Sequence, residues 1–92
     1  MIIVTYDIHD DKTRTKFGKL LKKYGRRIQY SVFEIKNSKR ILSIVCREIE
    51  EKFMPKFTGA DSILIIPVSA ADSDKLIRYG QAAMEEEEIL FL

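Results

Sequence analysis

An α+β sandwich, with helices on one face of a small sheet, is the fold this chain predicts. Three observations carry the prediction. β-prone and helix-periodic stretches alternate in the order strand, helix, strand, helix, strand. The second β-prone stretch, RRIQYSVFEIK, would have to divide into two to give such a sandwich its four strands. The last strand, around ILII, is apolar on both sides. Divided in this way, the order becomes that of a ferredoxin-like βαββαβ sandwich.

Residues 2–8 form the first strand, and alternation sets Ile2, Val4, Tyr6 and Ile8 against Ile3, Thr5 and Asp7. Asp10 or Asp11 caps a helix running to about Tyr24, whose stripe is Phe17, Leu20, Leu21 and Tyr24. Gly25 follows, where a left-handed cap costs least. The strand pair divides near Tyr30-Ser31, although no Gly, Pro or Asn marks a turn there. Asn37-Ser38 starts a second helix with Ile41, Leu42, Val45, Ile49 and Phe53 on its apolar side. Cys46 lies beside that stripe and reads as a half-buried core thiol, because nothing near it in sequence activates it. Pro55 and Gly59 end the helix before a strand at 62–68, and residues 72–79 read as a short helix closed by Gly80. Residues 1–80 are thus the domain. Residues 81–92 are an acidic tether and a short C-terminal strand, ILFL, suited to pairing with a partner subunit.

Two helices cover one face of a sheet, whereas Ile63 to Ile66 ask for cover on both. A second copy of the chain supplies it, so a homodimer through the sheet face is expected. The chain has 92 residues, which suits one domain that gains from such burial. No apolar run is long enough to cross a bilayer, and the apolar start lacks the basic lead of a signal peptide. One cysteine permits no internal disulfide and fits a reducing cytoplasm. One Cys and one His exclude a protein zinc cage within a chain.

Net charge is +2, but its distribution is uneven. From Lys12 to Arg27 there are eight basic residues and no acid, whereas glutamates fill 85–88. Such a block is either the footprint of phosphate-backbone binding or a solvated helix face. Asp7 has two readings as well. On a two-fold axis, it and its symmetry mate would seat Mg²⁺, which keeps much of its water and binds substrate phosphate. Otherwise it ends a strand. A glycine-rich phosphate loop is absent, Ser31 has no local base, His9 is the sole imidazole, and the strand at 62–68 lacks the stacking aromatics of an RNA-recognition module.

YDI at 6–8, DDKTR at 10–14 and YGRRIQYSVFE at 24–34 together resemble the Cas-two family of CRISPR-associated proteins. The resemblance is close over the first 35 residues, and length, element order and the ILFL tail agree with it. It implies a ferredoxin-like homodimer with Asp7 at the interface, binding Mg²⁺ or Mn²⁺. It implies either a metal-dependent nuclease acting on RNA or duplex DNA, or a non-catalytic DNA holder that serves the CRISPR integrase in spacer acquisition. Asp7 is then the metal and catalytic candidate, with Tyr6 beside it. Arg14, Lys16, Lys19, Arg26 and Arg27 are the nucleic-acid contacts, and Phe33 is a supporting residue. Lysine at 16 stands where relatives often carry arginine, which weakens a bidentate contact there. A toxin-type ribonuclease of the same fold is the alternative, separable by gene neighbourhood.

Overall fold

The computed structural model describes residues 1–80, so the glutamates 85–88 and the strand expected at 89–92 lie outside the described residues. The elements are β1 (Ile2–Asp7), α1 (Asp11–Lys22), β2 (Gly25–Gln29), β3 (Val32–Ile35), α2 (Lys39–Glu48), β4 (Ser62–Pro67) and a short α3 (Ala70–Ser73). The sheet is antiparallel throughout, in the order β2-β3-β1-β4. A π-helical turn at Ile49–Phe53 and a 3-10 turn at Met54–Lys56 prolong α2.

Side-chain alternation in β1 decides where the core sits. Ile2, Val4 and Tyr6 point beneath the helices and are buried, and Ile8 joins them past the strand end. Phe17, Leu20 and Leu21 of α1 meet them, as do Ile41 and Val45 of α2. The π-turn keeps Ile49 and Phe53 on the same side, and Phe53 meets Phe17 edge-on at 5.1 Å. Both helix starts follow from their caps. Asp10 accepts from Thr13 N and Thr13 Oγ1 at 2.8 Å each, and Ser38 Oγ accepts from Ile41 N at 3.3 Å.

The β2–β3 hairpin closes through Tyr30 and Ser31 without a residue at positive φ. Mirror-image turns, which match strand twist, need positive φ; here a register shift between Arg27 and Gln29 supplies extra twist instead. Gly25 is not the left-handed cap expected of it, since Gly80 has the one positive φ among the described residues. Its glycine is required by a close approach: a Cβ there would lie 1.9 Å from the Glu34 carbonyl oxygen. The helix expected at 72–79 is also shorter, covering Ala70–Ser73 behind a Ser69 cap. Its backbone then runs to Arg78, whose Nη1 donates to the Ile28 carbonyl at 3.2 Å.

Register defines the sheet face away from the helices. Ile3 lies opposite Ile66 and Glu34, Thr5 opposite Leu64 and Val32, and Asp7 opposite Ser62. Leu64 and Ile66 of β4 remain 60% and 39% exposed, so the described residues leave this apolar face open.

Candidate nucleic-acid interface and acidic strand end

The basic block folds into a cleft between α1 and the β2–β3 hairpin. Its walls are Tyr6, Arg14, Thr15, Gly18, Lys19, Lys22, Arg27 and Tyr30, enclosing about 220 Å³. Among the described residues, four cations and no carboxylate line it. Helical periodicity brings Arg14, Gly18, Lys19 and Lys22 to one side of α1, and Arg27 reaches in from β2.

The two arginines are held in place. Arg14 Nη1 donates to the carbonyls of Ile8 (3.1 Å) and His9 (3.4 Å), while Nη2 pairs with Asp11. Arg27 donates to the Tyr30 carbonyl, and its guanidinium lies 4.7 Å from the centre of the Phe33 ring. Phe33 is fully buried and is the floor under that cation. Tyr6 places its hydroxyl in the same cleft. Burial pushes its pKa up, and the Arg27 guanidinium beside it opposes the rise. At Gly18 a Cβ would sit 3.5 Å from Arg27 Nη2 and 3.6 Å from the Tyr6 hydroxyl, so the bare helix position leaves the cleft floor open.

Of the residues singled out in the sequence, Arg14, Lys19, Arg27, Tyr6 and Phe33 therefore converge. Lys16 is exposed and is not among the cleft residues. Arg26 pairs with Glu34, its Nε and Nη2 donating to Glu34 Oε1 at 3.2 and 3.1 Å. Tyr6 and Asp7 do not meet, because adjacent strand residues point to opposite faces. Asp7 ends β1 with its side chain 72% exposed.

Beside Asp7 stands a residue the sequence reading passed over, Asp61. His9 Nδ1 donates to Asp61 Oδ1 at 2.8 Å, and the backbone N–H groups of His9 and Thr58 donate to the same carboxylate at 3.0 Å. That bonding, led by the Thr58 N–H, lowers the Asp61 pKa to about 2, and the Asp61 bond followed by the Asp7 charge raises that of His9. Asp7 Oδ1 lies 3.8 Å from His9 Nε2. The one signal in sequence was position: Asp61 precedes β4, whose antiparallel pairing with β1 sets Ser62 opposite Asp7.

This catch ties stability to pH in two directions. A lowered acid contributes stability above its ordinary pKa of 3.8 that is lost as pH falls toward about 2. A raised histidine contributes fully below its ordinary 6.5 and loses that contribution as pH rises through its folded value. The catch is therefore strongest between those limits. Thermal melts across pH should show Asp61→Asn losing most stability relative to the parent inside that window, with the gap narrowing at either end.

Comparison with known proteins settles the family. The family model described as CRISPR associated protein Cas2 matches residues 1–76. A Synechocystis sp. protein named CRISPR-associated endoribonuclease Cas2 3 is 35% identical over 88% of this chain and 85% of its own length. The chain belongs to the Cas2 family. Another Cas2 relative, CRISPR-associated endoribonuclease Cas2 4 of Rhodospirillum rubrum, is 41% identical over 74% of this chain. The chain spans about half of that relative's length, 52%. A solved Thermus thermophilus structure, titled as hypothetical protein TT1823, superposes with a TM-score of 0.73 at 32% identity, covering 90% of this chain and 93% of its own.

Whether a Cas2-type chain can hold a divalent cation here depends on its donors. No group of three or more His, Cys, Asp or Glu side chains gathers for a metal among the described residues. Asp61 is committed to His9 and to backbone N–H groups. At the end of β1, Asp7 is an exposed carboxylate, a donor of the type that Mg²⁺ uses alongside water and phosphate. Asp7 fits such an ion as a single donor.

Proposed function

We propose that this chain acts as a homodimer that holds duplex nucleic acid by its backbone during CRISPR spacer acquisition and presents it to the integrase. The observation that carries this reading is the α1 cleft, in which Arg14, Lys19, Lys22 and Arg27 converge. Backbone phosphates are the ligands such a cleft suits, and they supply affinity with little base preference.

The ferredoxin-like sheet supports dimerisation through its open face. Ile3, Val32, Leu64 and Ile66 share that face, and Leu64 and Ile66 are the more exposed of them. Burying them against a second copy removes apolar area from water at about 25 cal/mol per Å². Sedimentation at micromolar concentration is expected to give a dimer, and Leu64→Asp a monomer with intact secondary structure. A monomeric parent would count against the assembly.

Hydrolysis is the second reading. It is favoured by the exposure of Asp7 and by the endoribonuclease names of the relatives. Asp7 and its symmetry mate would hold Mg²⁺ or Mn²⁺. Such an ion, when bound, polarises a phosphodiester and lowers the pKa of attacking water. In this reading Asp7 orients the ion, and the arginines of the cleft hold substrate on the helix side. Because Tyr6 and Asp7 occupy opposite faces, Tyr6 belongs with the phosphate cleft and not with the carboxylate. The functional test is Asp7→Asn, assayed for cleavage, duplex binding and spacer integration.

A further inference from the structure

A second basic cavity, of about 500 Å³, opens where β2 begins and β3 ends. Lys22, Lys23, Tyr24, Arg26, Glu34 and Lys36 line it. Lys36 is far from the basic block in sequence. Two contacts bring it there: the pairing of Gly25 with Ile35, and the Lys36 N–H donating to the Tyr24 carbonyl at 2.9 Å. Among the described residues Glu34 is the one carboxylate in this wall, and Arg26 engages it at 3.1 Å. Cations in the last turn of α1 complement the helix dipole, which accounts for Lys22 without a ligand. Lys36 lies outside any helix, and the dipole does not account for it.

Lys22 also lines the α1 cleft, so the two cavities share a wall residue. From Arg14 to Lys22 the helix rises roughly 12 Å, about three to four base pairs of duplex along its axis. We propose that Lys23 and Lys36 form a second seat for a backbone phosphate, extending the duplex footprint past α1 to the end of the sheet. This rests on the nucleic-acid reading above. Lysine suits the role, as a point charge that follows a phosphate without demanding a fixed geometry. Both side chains are exposed, so replacing them leaves the core intact.

The test measures binding of a labelled mixed-sequence DNA duplex against salt concentration, for the parent, Lys23→Ala/Lys36→Ala and Arg14→Ala/Lys19→Ala. Each lost phosphate contact should flatten the slope of log affinity against log salt by about 0.9. Both double variants are expected to bind more weakly, each with its slope reduced by about 1 to 2. If Lys23→Ala/Lys36→Ala keeps the parent affinity and slope while Arg14→Ala/Lys19→Ala loses both, the second seat is wrong. The lysines are then left to an acidic protein surface, and the α1 cleft stands. If neither variant changes binding, the nucleic-acid reading itself falls.

Discussion

Gly25→Ala is expected to remove a large share of the domain's thermal margin, although the substitution adds a single methyl group. A Cβ at this position would lie 1.9 Å from the Glu34 oxygen, 2.6 Å from Ile35 Cα and 2.8 Å from the Glu34 carbonyl carbon. All three are backbone atoms, so no side chain can swing aside. The start of β2 must separate from the end of β3, with loss of the Gly25–Ile35 pairing and of the Lys36-to-Tyr24 bond. Overpacking costs about 1–3 kcal/mol where side chains can adjust, and a backbone clash sits at or above the upper end. Against a total stability of about 5–15 kcal/mol, a loss of about 3 kcal/mol lowers Tm by roughly 12–24 °C. Gly59→Ala is the control, because nothing lies within 4 Å of a Cβ there. Its Tm should match the parent or rise slightly. Equal melting of the two variants would refute the close-approach account.

Phe33→Ala should cost about 3–5 kcal/mol, the range for removing a buried aromatic ring. Phe33 is fully buried, lies 6.2 Å from the Tyr6 ring, and carries the Arg27 guanidinium over its ring face. Stability and binding can be separated with Phe33→Leu. Leucine keeps most of the buried volume and should cost about 1 kcal/mol, but it removes the π-face beneath Arg27. Duplex affinity is expected to fall in Phe33→Leu at temperatures where the protein remains folded. Unchanged affinity would show that the Tyr30 carbonyl and the Tyr6 hydroxyl alone position Arg27.

Much of this architecture is written in short-range patterns. The alternation IIVTYD assigns faces in β1, and observed burial follows it residue by residue. The stripe from Ile41 to Phe53 anticipates the packing of α2 and its π-turn. The division at Tyr30-Ser31 follows from a topology that needs four strands, with no turn residue to mark it. What sequence did not disclose is set by chain segments meeting across the sheet. Asp61 acquires its partners only when the turn before β4 reaches His9, and Lys36 joins the basic block only through the Gly25 close approach. Gly25 shows the same limit from another side. Its place after a helix predicts a cap, whereas the neighbour that demands glycine is nine residues further on, at Glu34. The separation of Tyr6 from Asp7 is a different case. Strand alternation already implied it, and the pairing of the two as one site came from family resemblance.

The proposed function divides labour between the two faces: the α1 cleft would hold the duplex, and Asp7 on the opposite face would be dispensable for holding it. Asp7→Asn, assayed side by side for phosphodiester cleavage, duplex binding and spacer integration, tests this most directly. The account expects duplex binding and integration at parental levels, with any metal-dependent cleavage abolished. Loss of integration in a variant that still dimerises and still binds duplex would contradict it, and would make the carboxylate part of the working chemistry.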